Sequence, residues 1–296
     1  MRKIFIDGDI GDDVDSVLAL GFAMRCPELS LLGVSTVYGD VARRSQLARK
    51  VLDAFGGSAV PVAAGESATL GGEHPVGGVS LAASLSDEER RGVVDPDGID
   101  LLVDAVMAAP GEVTLVATGP LTNVARAIRR RKSLAQALAG LVVVGGDSSG
   151  VTAHANFARD SAAAAEVLAS GAPVVLVGAD AGGRCTLPAE RVEAMRESGV
   201  DEALLLCDMV RTWGASRATR TPALDDVLAV ACCLPEPPVR FREVAVTVET
   251  EGEAPGRIAV SEGAGGSAVR LAGEVDADAL LDTLQSRLLG RGADSP

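Results

Sequence analysis

Aromatic side chains are nearly missing: one Trp, one Tyr and five Phe make up 2% of 296 residues. Any core must then come from Ala, Val and Leu, which the 47% hydrophobic content can supply. Histidine is scarce too, at two residues, and the five cysteines form no C-x-x-C pair, which argues against a thiolate or imidazole zinc centre. Cys26, Cys207, Cys232 and Cys233 stand in apolar surroundings and read as small buried hydrophobes. Lysine is reduced to Lys3, Lys50 and Lys132. The formal net charge is −14, so nucleic-acid backbones and anionic membrane surfaces would repel the chain. No apolar run approaches the roughly 18 residues of a membrane span. The N-terminus starts directly with a strand pattern rather than a basic-then-apolar leader, and a cytoplasmic protein is expected.

What is present is a regular alternation. Short continuous apolar runs at Ile4–Ile6, Leu31–Thr36, Val113–Ala117, Leu141–Val144 and Val174–Val177 suit strands buried on both faces. Helical patterns lie between them; Leu47, Val51 and Phe55 recur every four residues and Gly56 supplies a stop. This predicts one α/β domain over residues 1–296, with a mostly parallel open sheet flanked by helices. In the last quarter Val244–Glu249 and Arg257–Val260 alternate like an antiparallel strand pair, followed by a Gly-rich turn at Glu262–Gly266. A closing helix carries Leu280, Leu281, Leu284 and Leu288 on one face. The Gly-, Asp- and Glu-rich stretch Gly71–Gly98, which holds His74, reads as a surface excursion or lid.

The chemistry-bearing segment is Asp7-Gly8-Asp9-Ile10-Gly11-Asp12-Asp13-Val14-Asp15, five carboxylates in nine positions directly after Ile4-Phe5-Ile6. Ligand sites of open α/β sheets lie just past the carboxyl ends of strands. Such a cluster is costly unless a cation neutralises it, and a hard divalent ion such as Ca²⁺ or Mg²⁺ prefers oxygen ligands. The plainer alternative is a solvated acidic turn in which Asp15 or Ser16 caps the next helix. Three chemistries place acids after a first strand. Dinucleotide binding needs a Gly-rich turn, and acids there repel phosphate. An Asp-x-Asp phosphatase, with Asp7 as nucleophile and Asp9 as acid, resembles the haloacid-dehalogenase-like enzymes. It lacks a lysine at a plausible strand end, and Gly146-Asp147 has no close second acid. Hydrolysis of an N-glycosidic bond fits best, because carboxylates stabilise an oxocarbenium-like transition state and activate water.

The chain also resembles the inosine–uridine-preferring nucleoside hydrolase family. The resemblance rests on Asp7–Ser16, Ser35-Thr36-Val37-Tyr38-Gly39-Asp40, Pro61–Gly65 and Val116-Ala117-Thr118-Gly119-Pro120-Leu121-Thr122-Asn123. It continues through Val142–Gly146, Asn156-Phe157-Ala158-Arg159-Asp160, Asp225–Ala231 and Val246–Gly252, nearly the whole chain in order. It implies an N-ribohydrolase in which Asp9 is the metal-bound general base. Thr118 would ligate Ca²⁺ through its carbonyl and Asp226 through its carboxylate, while Asp15, Asp40 and Asn156 would grip the ribose. It further implies a small riboside as partner, and a dimer or tetramer of this chain.

The chain departs from the family pattern at four positions. Ser16 stands where a bidentate Asp is expected among the Ca²⁺ ligands, which weakens the site unless Asp12 or Asp13 compensates. Asp225 stands where many members carry a histidine that assists the leaving base, and it can donate a proton only if its pKa is raised. Asp40 replaces a frequent Asn. His154 replaces a Glu near the ribose 5′ end; a cationic His154, with Arg159 nearby, would suit a phosphorylated riboside. Tyr38 and Trp213 are the candidates to stack on a base. A specialised member acting on an unusual riboside, or a non-catalytic riboside-binding protein, are the alternative readings.

Overall fold

The short β-branched and leucine runs become strands because they are too brief for helices and apolar on both faces. The computed structural model describes residues 1–73, 78–215, 217, 221–263 and 265–290. Strands β1 (Arg2–Gly8), β2 (Leu29–Thr36), β3 (Val62–Ala64), β4 (Val113–Ala117), β5 (Gly140–Val144) and β6 (Val174–Val177) are parallel. With β7 (Val239–Val248), β8 (Ile258–Ser261) and β9 (Ser267–Val275) they form one nine-stranded sheet, in the order β3-β2-β1-β4-β5-β6-β9-β7-β8. The chain runs outward from β1 to β3 on one side and from β4 to β6 on the other. The switch point of the topology therefore lies between β1 and β4, where a crevice opens at the strands' carboxyl ends.

Helices cover both faces. One face is packed by α1 (Asp15–Arg25), α2 (Val41–Ala54) and a later group of helices beyond β6; the other by α3 (Gly98–Met107), α4 (Thr122–Arg130), α5 (Leu134–Ala137), α6 (Ala155–Arg159) and α7 (Ser161–Leu168). The later group comprises α8 (Ala179–Gly182), α9 (Ala189–Glu197), α10 (Asp201–Gly214), α11 (Asp225–Ala231) and α12 (Ala277–Leu288). Leu47, Val51 and Phe55 are buried as their spacing predicts, and so are Leu280, Leu281, Leu284 and Leu288. None of these helices is long and apolar enough to cross a membrane.

Two elements depart from the sequence reading. The expected C-terminal strand pair is three strands: β9 sits between β6 and β7, parallel to β6 through Leu176↔Leu271 and antiparallel to β7. Val269, Leu271 and Ala272 face inward there, but Arg270 and Glu274 break the apolar signal. The Gly71–Gly98 stretch is no free lid over its described part. Leu81 is fully buried and its N–H donates to the Gly11 carbonyl (2.9 Å), to which the Ser80 hydroxyl also donates (3.0 Å). Gly11 has φ +110°, and a Cβ there would stand 2.4 Å from Val79 Cγ1, so the acidic turn needs a glycine at this point. His74 lies outside the described residues.

Candidate active site

The acidic turn that follows β1 meets the first residues of α1 and α11 over the switch point. A cavity of about 140 Å³ opens there, lined by Asp9, Asp12, Asp13, Asp15, Ser16, Thr118, Val144, His154, Ala155, Asn156, Arg159, Asp225 and Asp226. Strand ends place Asp9 (β1), Thr118 (β4) and Val144 (β5); helix starts place Asp15, Asn156, Asp225 and Asp226. The site is stitched from beneath. The Asn156 side-chain N–H₂ donates to the carbonyls of Thr118 (2.9 Å) and Val144 (3.0 Å), leaving only its oxygen for a ligand. The Asp226 N–H donates to Asp15 Oδ2 (3.1 Å), which ties α11 to α1.

Electrostatically this is a nest of strained acids. Asp15 and Asp226 are buried, and desolvation followed by mutual and neighbouring repulsion holds both carboxyls well above their ordinary range. Asp9 is raised by burial, with Arg159 and Arg44 pulling it back. Asp225 is pushed up to about 6, by burial first and Asp13 second, and its buried Oδ1 has no hydrogen-bond partner among the described residues. The shift is in the direction that a proton donor requires.

Several residues singled out in the sequence are placed elsewhere or otherwise. Asp40 is exposed, caps α2 by accepting from the Arg43 N–H (3.0 Å), and does not line the cavity. Ser16 turns back into the loop, donating to the Asp13 carbonyl (2.9 Å). His154 caps α6, its Nδ1 accepting from the Asn156 N–H (3.2 Å), and burial together with Arg159 lowers its pKa to about 4. Burial and Arg159 thus disfavour the cationic imidazole that a 5′-phosphate contact would use, although His154 does line the cavity. Trp213 is a core residue, 3% exposed, with the Arg217 guanidinium 5.6 Å from its ring, and is not free to stack on a base. Asp7 is fully buried, its Oδ1 accepting from Ser35 Oγ (2.5 Å) and Asn123 Nδ2 (2.7 Å). An entombed carboxylate cannot be a phosphatase nucleophile.

Sequence reasoning missed Arg44. It is buried, donating from Nη1 to the carbonyls of Asp9 and Ile10, from Nη2 to Asp12 Oδ2 (3.0 Å) and from Nε to the Tyr38 carbonyl (2.7 Å). Arg159, expected to look toward a ligand, is ion-paired with Asp9 and lies 3.5 Å from Asp12 Oδ2. These contacts bear on the expected Ca²⁺ set of Asp9, Ser16, Thr118 and Asp226. Asp9 Oδ2 holds Arg159, Asp12 is taken by two arginines, and the Ser16 hydroxyl serves its own turn. No three His, Cys, Asp or Glu among the described residues gather closely enough to hold an ion. As arranged, the donor set does not fit a resident divalent cation.

Comparison with known proteins decides the family. Residues 4–282 match the family described as inosine-uridine preferring nucleoside hydrolase. The chain belongs to this family. The protein is thus a nucleoside hydrolase, an enzyme class that cleaves ribonucleosides at the N-glycosidic bond and is generally metal-dependent. It is 31% identical over 283 residues to a probable uridine nucleosidase 1 of Oryza sativa subsp. japonica, covering 88% of this chain and 85% of the relative. With a non-specific ribonucleoside hydrolase RihC of Escherichia coli it shares 30% over 268 residues, 84% of each chain. A plant nucleoside hydrolase, PpNRh1, superposes with a TM-score of 0.88 at 24% identity over 97% of this chain and 99% of the other, a likeness of fold.

Proposed function

We propose that this nucleoside hydrolase acts on an uncharged ribonucleoside, releasing ribose and free base by attack of water at the anomeric carbon. The observation that supports it is the convergence of Asp9, Asp15 and Asp226 on one cavity at the switch point. Three repelling, desolvated acids are relieved when positive charge develops on the sugar ring. The site thus binds the oxocarbenium-like transition state better than the neutral substrate. Asp9, whose pKa is raised by burial, takes the proton of the attacking water. Asp225, protonated below about pH 6, hands a proton to the departing base. The Asn156 oxygen and Asp15 hold ribose hydroxyls.

The cavity is small beside the roughly 300–1,000 Å³ usual for whole ligands, so it takes the sugar and leaves the base near the mouth. A pocket lined by Asp9, Asp12, Asp13, Asp15, Asp225 and Asp226, whose arginine is already paired with Asp9, disfavours a phosphate. Calcium, expected from the family likeness, finds no assembled donor set here. From that likeness alone the reading includes a homodimer or homotetramer in the cytoplasm, with a small riboside as its partner. Reducing-sugar release from inosine, uridine and their 5′-monophosphates tests it. The nucleosides should be cleaved at least about 10-fold faster, since about 1.4 kcal/mol of repulsion suffices for that ratio. Equal rates, or a preference for the monophosphates, would overturn the choice of an uncharged substrate.

A further inference from the structure

Arg159 is held in place by more than its partner acid. It ends α6, three residues after Asn156, so both side chains leave the same side of one helical turn. Its guanidinium pairs with Asp9, reaches Asp12, and lies over the Tyr38 ring with 5.0 Å to the centroid. Tyr38 itself has φ +71°, the one left-handed non-glycine among the described residues. Its backbone is fixed there by Arg44 Nε on its carbonyl and by its own N–H on the Glu66 carbonyl (both 2.7 Å). A strained backbone position thus sets an aromatic face under this one guanidinium. Arginine is a permanent cation whose planar fork suits two carboxylates at once.

We propose that the cation serving Asp9 in this enzyme is the Arg159 guanidinium, in place of a bound divalent ion, so that water activation at Asp9 needs no added metal. The inference rests on the nucleoside hydrolase reading of this site and deepens it. Arg159 orients the Asp9 carboxylate and offsets its charge in a cavity where a metal would otherwise do both. The Arg159 guanidinium pairs with Asp9 and Asp12 rather than with Asp15 or Asp226, which leaves those two carboxyls to the ribosyl cation.

The experiment uses the full chain after exhaustive treatment with chelator. Bound metal is quantified by elemental mass spectrometry, the thermal midpoint is followed across a CaCl₂ titration, and ribose release from inosine and uridine is measured with and without Ca²⁺. The wild type should carry far less than one equivalent of metal, show no saturable Ca²⁺-dependent rise in midpoint, and turn over equally in chelator. Arg159→Ala should lose turnover and gain a Ca²⁺-dependent rise in midpoint, because the vacated cation position is then open. Arg159→Lys, which keeps the charge, should stay insensitive to Ca²⁺, and it carries the test if the alanine variant fails to fold. Stoichiometric Ca²⁺ in the wild type, a saturable stabilisation by Ca²⁺, or turnover lost in chelator and restored by Ca²⁺ would overturn the inference while leaving the hydrolase reading intact. If neither nucleoside is cleaved under any condition, the hydrolase reading falls and the metal content and titration still decide this one.

Discussion

Asp225 and Asn156 show how single residues divide the work. A carboxyl pushed up to about 6 is a competent acid only below that pH, and is lost as pH rises through it. Turnover should therefore decline on the alkaline side of about pH 6. Asp225→Asn should flatten that limb and cost about 10²–10⁴-fold in kcat. A variant that keeps the limb would assign it to another group. Asn156→Ala strips a donor from two carbonyls, those of Thr118 and Val144, and each buried group left unpaired costs about 1–3 kcal/mol. Denaturant titration should show a loss of about 2–6 kcal/mol for the two carbonyls together; an unchanged midpoint would mean that the amide carries no structural load. The acids were legible in the sequence because a carboxylate cluster after a strand has few physical uses. Their arginine partners were not. Arg43 and Arg44 are neighbours, yet one reaches Gln46 and the Arg90 carbonyl while the other dives under the acidic turn. Only the helix phase of α2 separates them.

Between elements, the close seat of α8 on α11 sets where the acid stands. A Cβ on Gly182 would lie 1.6 Å from Asp225 Oδ1 and 2.9 Å from its Cα, so the side chain must move if that glycine is replaced. Gly182→Ala should retain the far-ultraviolet circular dichroism of the wild type, lower kcat and change the alkaline limb, with KM nearly unchanged. Wild-type kinetics in this variant would show that the position of Asp225 is immaterial. The inner parallel strands could be read from sequence because two-sided burial leaves unbroken apolar runs. β3 has three residues and leaves no run to read. β9 alternates with Arg270 and Glu274 outward, and its place between β6 and β7 is a matter of long-range pairing that no local pattern records.

Across the whole molecule, buried acids tie stability to pH. Asp7 sits wholly out of water with Oδ2 unpartnered among the described residues, and its pKa is raised to about 6, chiefly by burial. Asp15 and Asp226 are shifted in the same direction. A carboxyl that binds its proton more tightly folded than unfolded stabilises the fold at low pH, and that contribution drains away as pH rises through the folded value. For Asp7 the two limits differ by about 3 kcal/mol. Asp147 and Glu89 are shifted the opposite way, so their stabilisation is lost only on stronger acidification. The thermal midpoint should therefore be higher near about pH 5 than near about pH 8; the reverse order would mean that the buried acids are neutralised by something else. The decisive measurement on function is ribose release from uridine and inosine by the wild type beside Asp9→Asn, with nucleoside binding followed in parallel by calorimetry. Water activated at Asp9 predicts release by the wild type, and a fall of about 10²-fold or more in the variant with binding retained. A wild type that binds both nucleosides and frees no ribose would contradict it, and would leave a riboside-binding protein on a hydrolase fold.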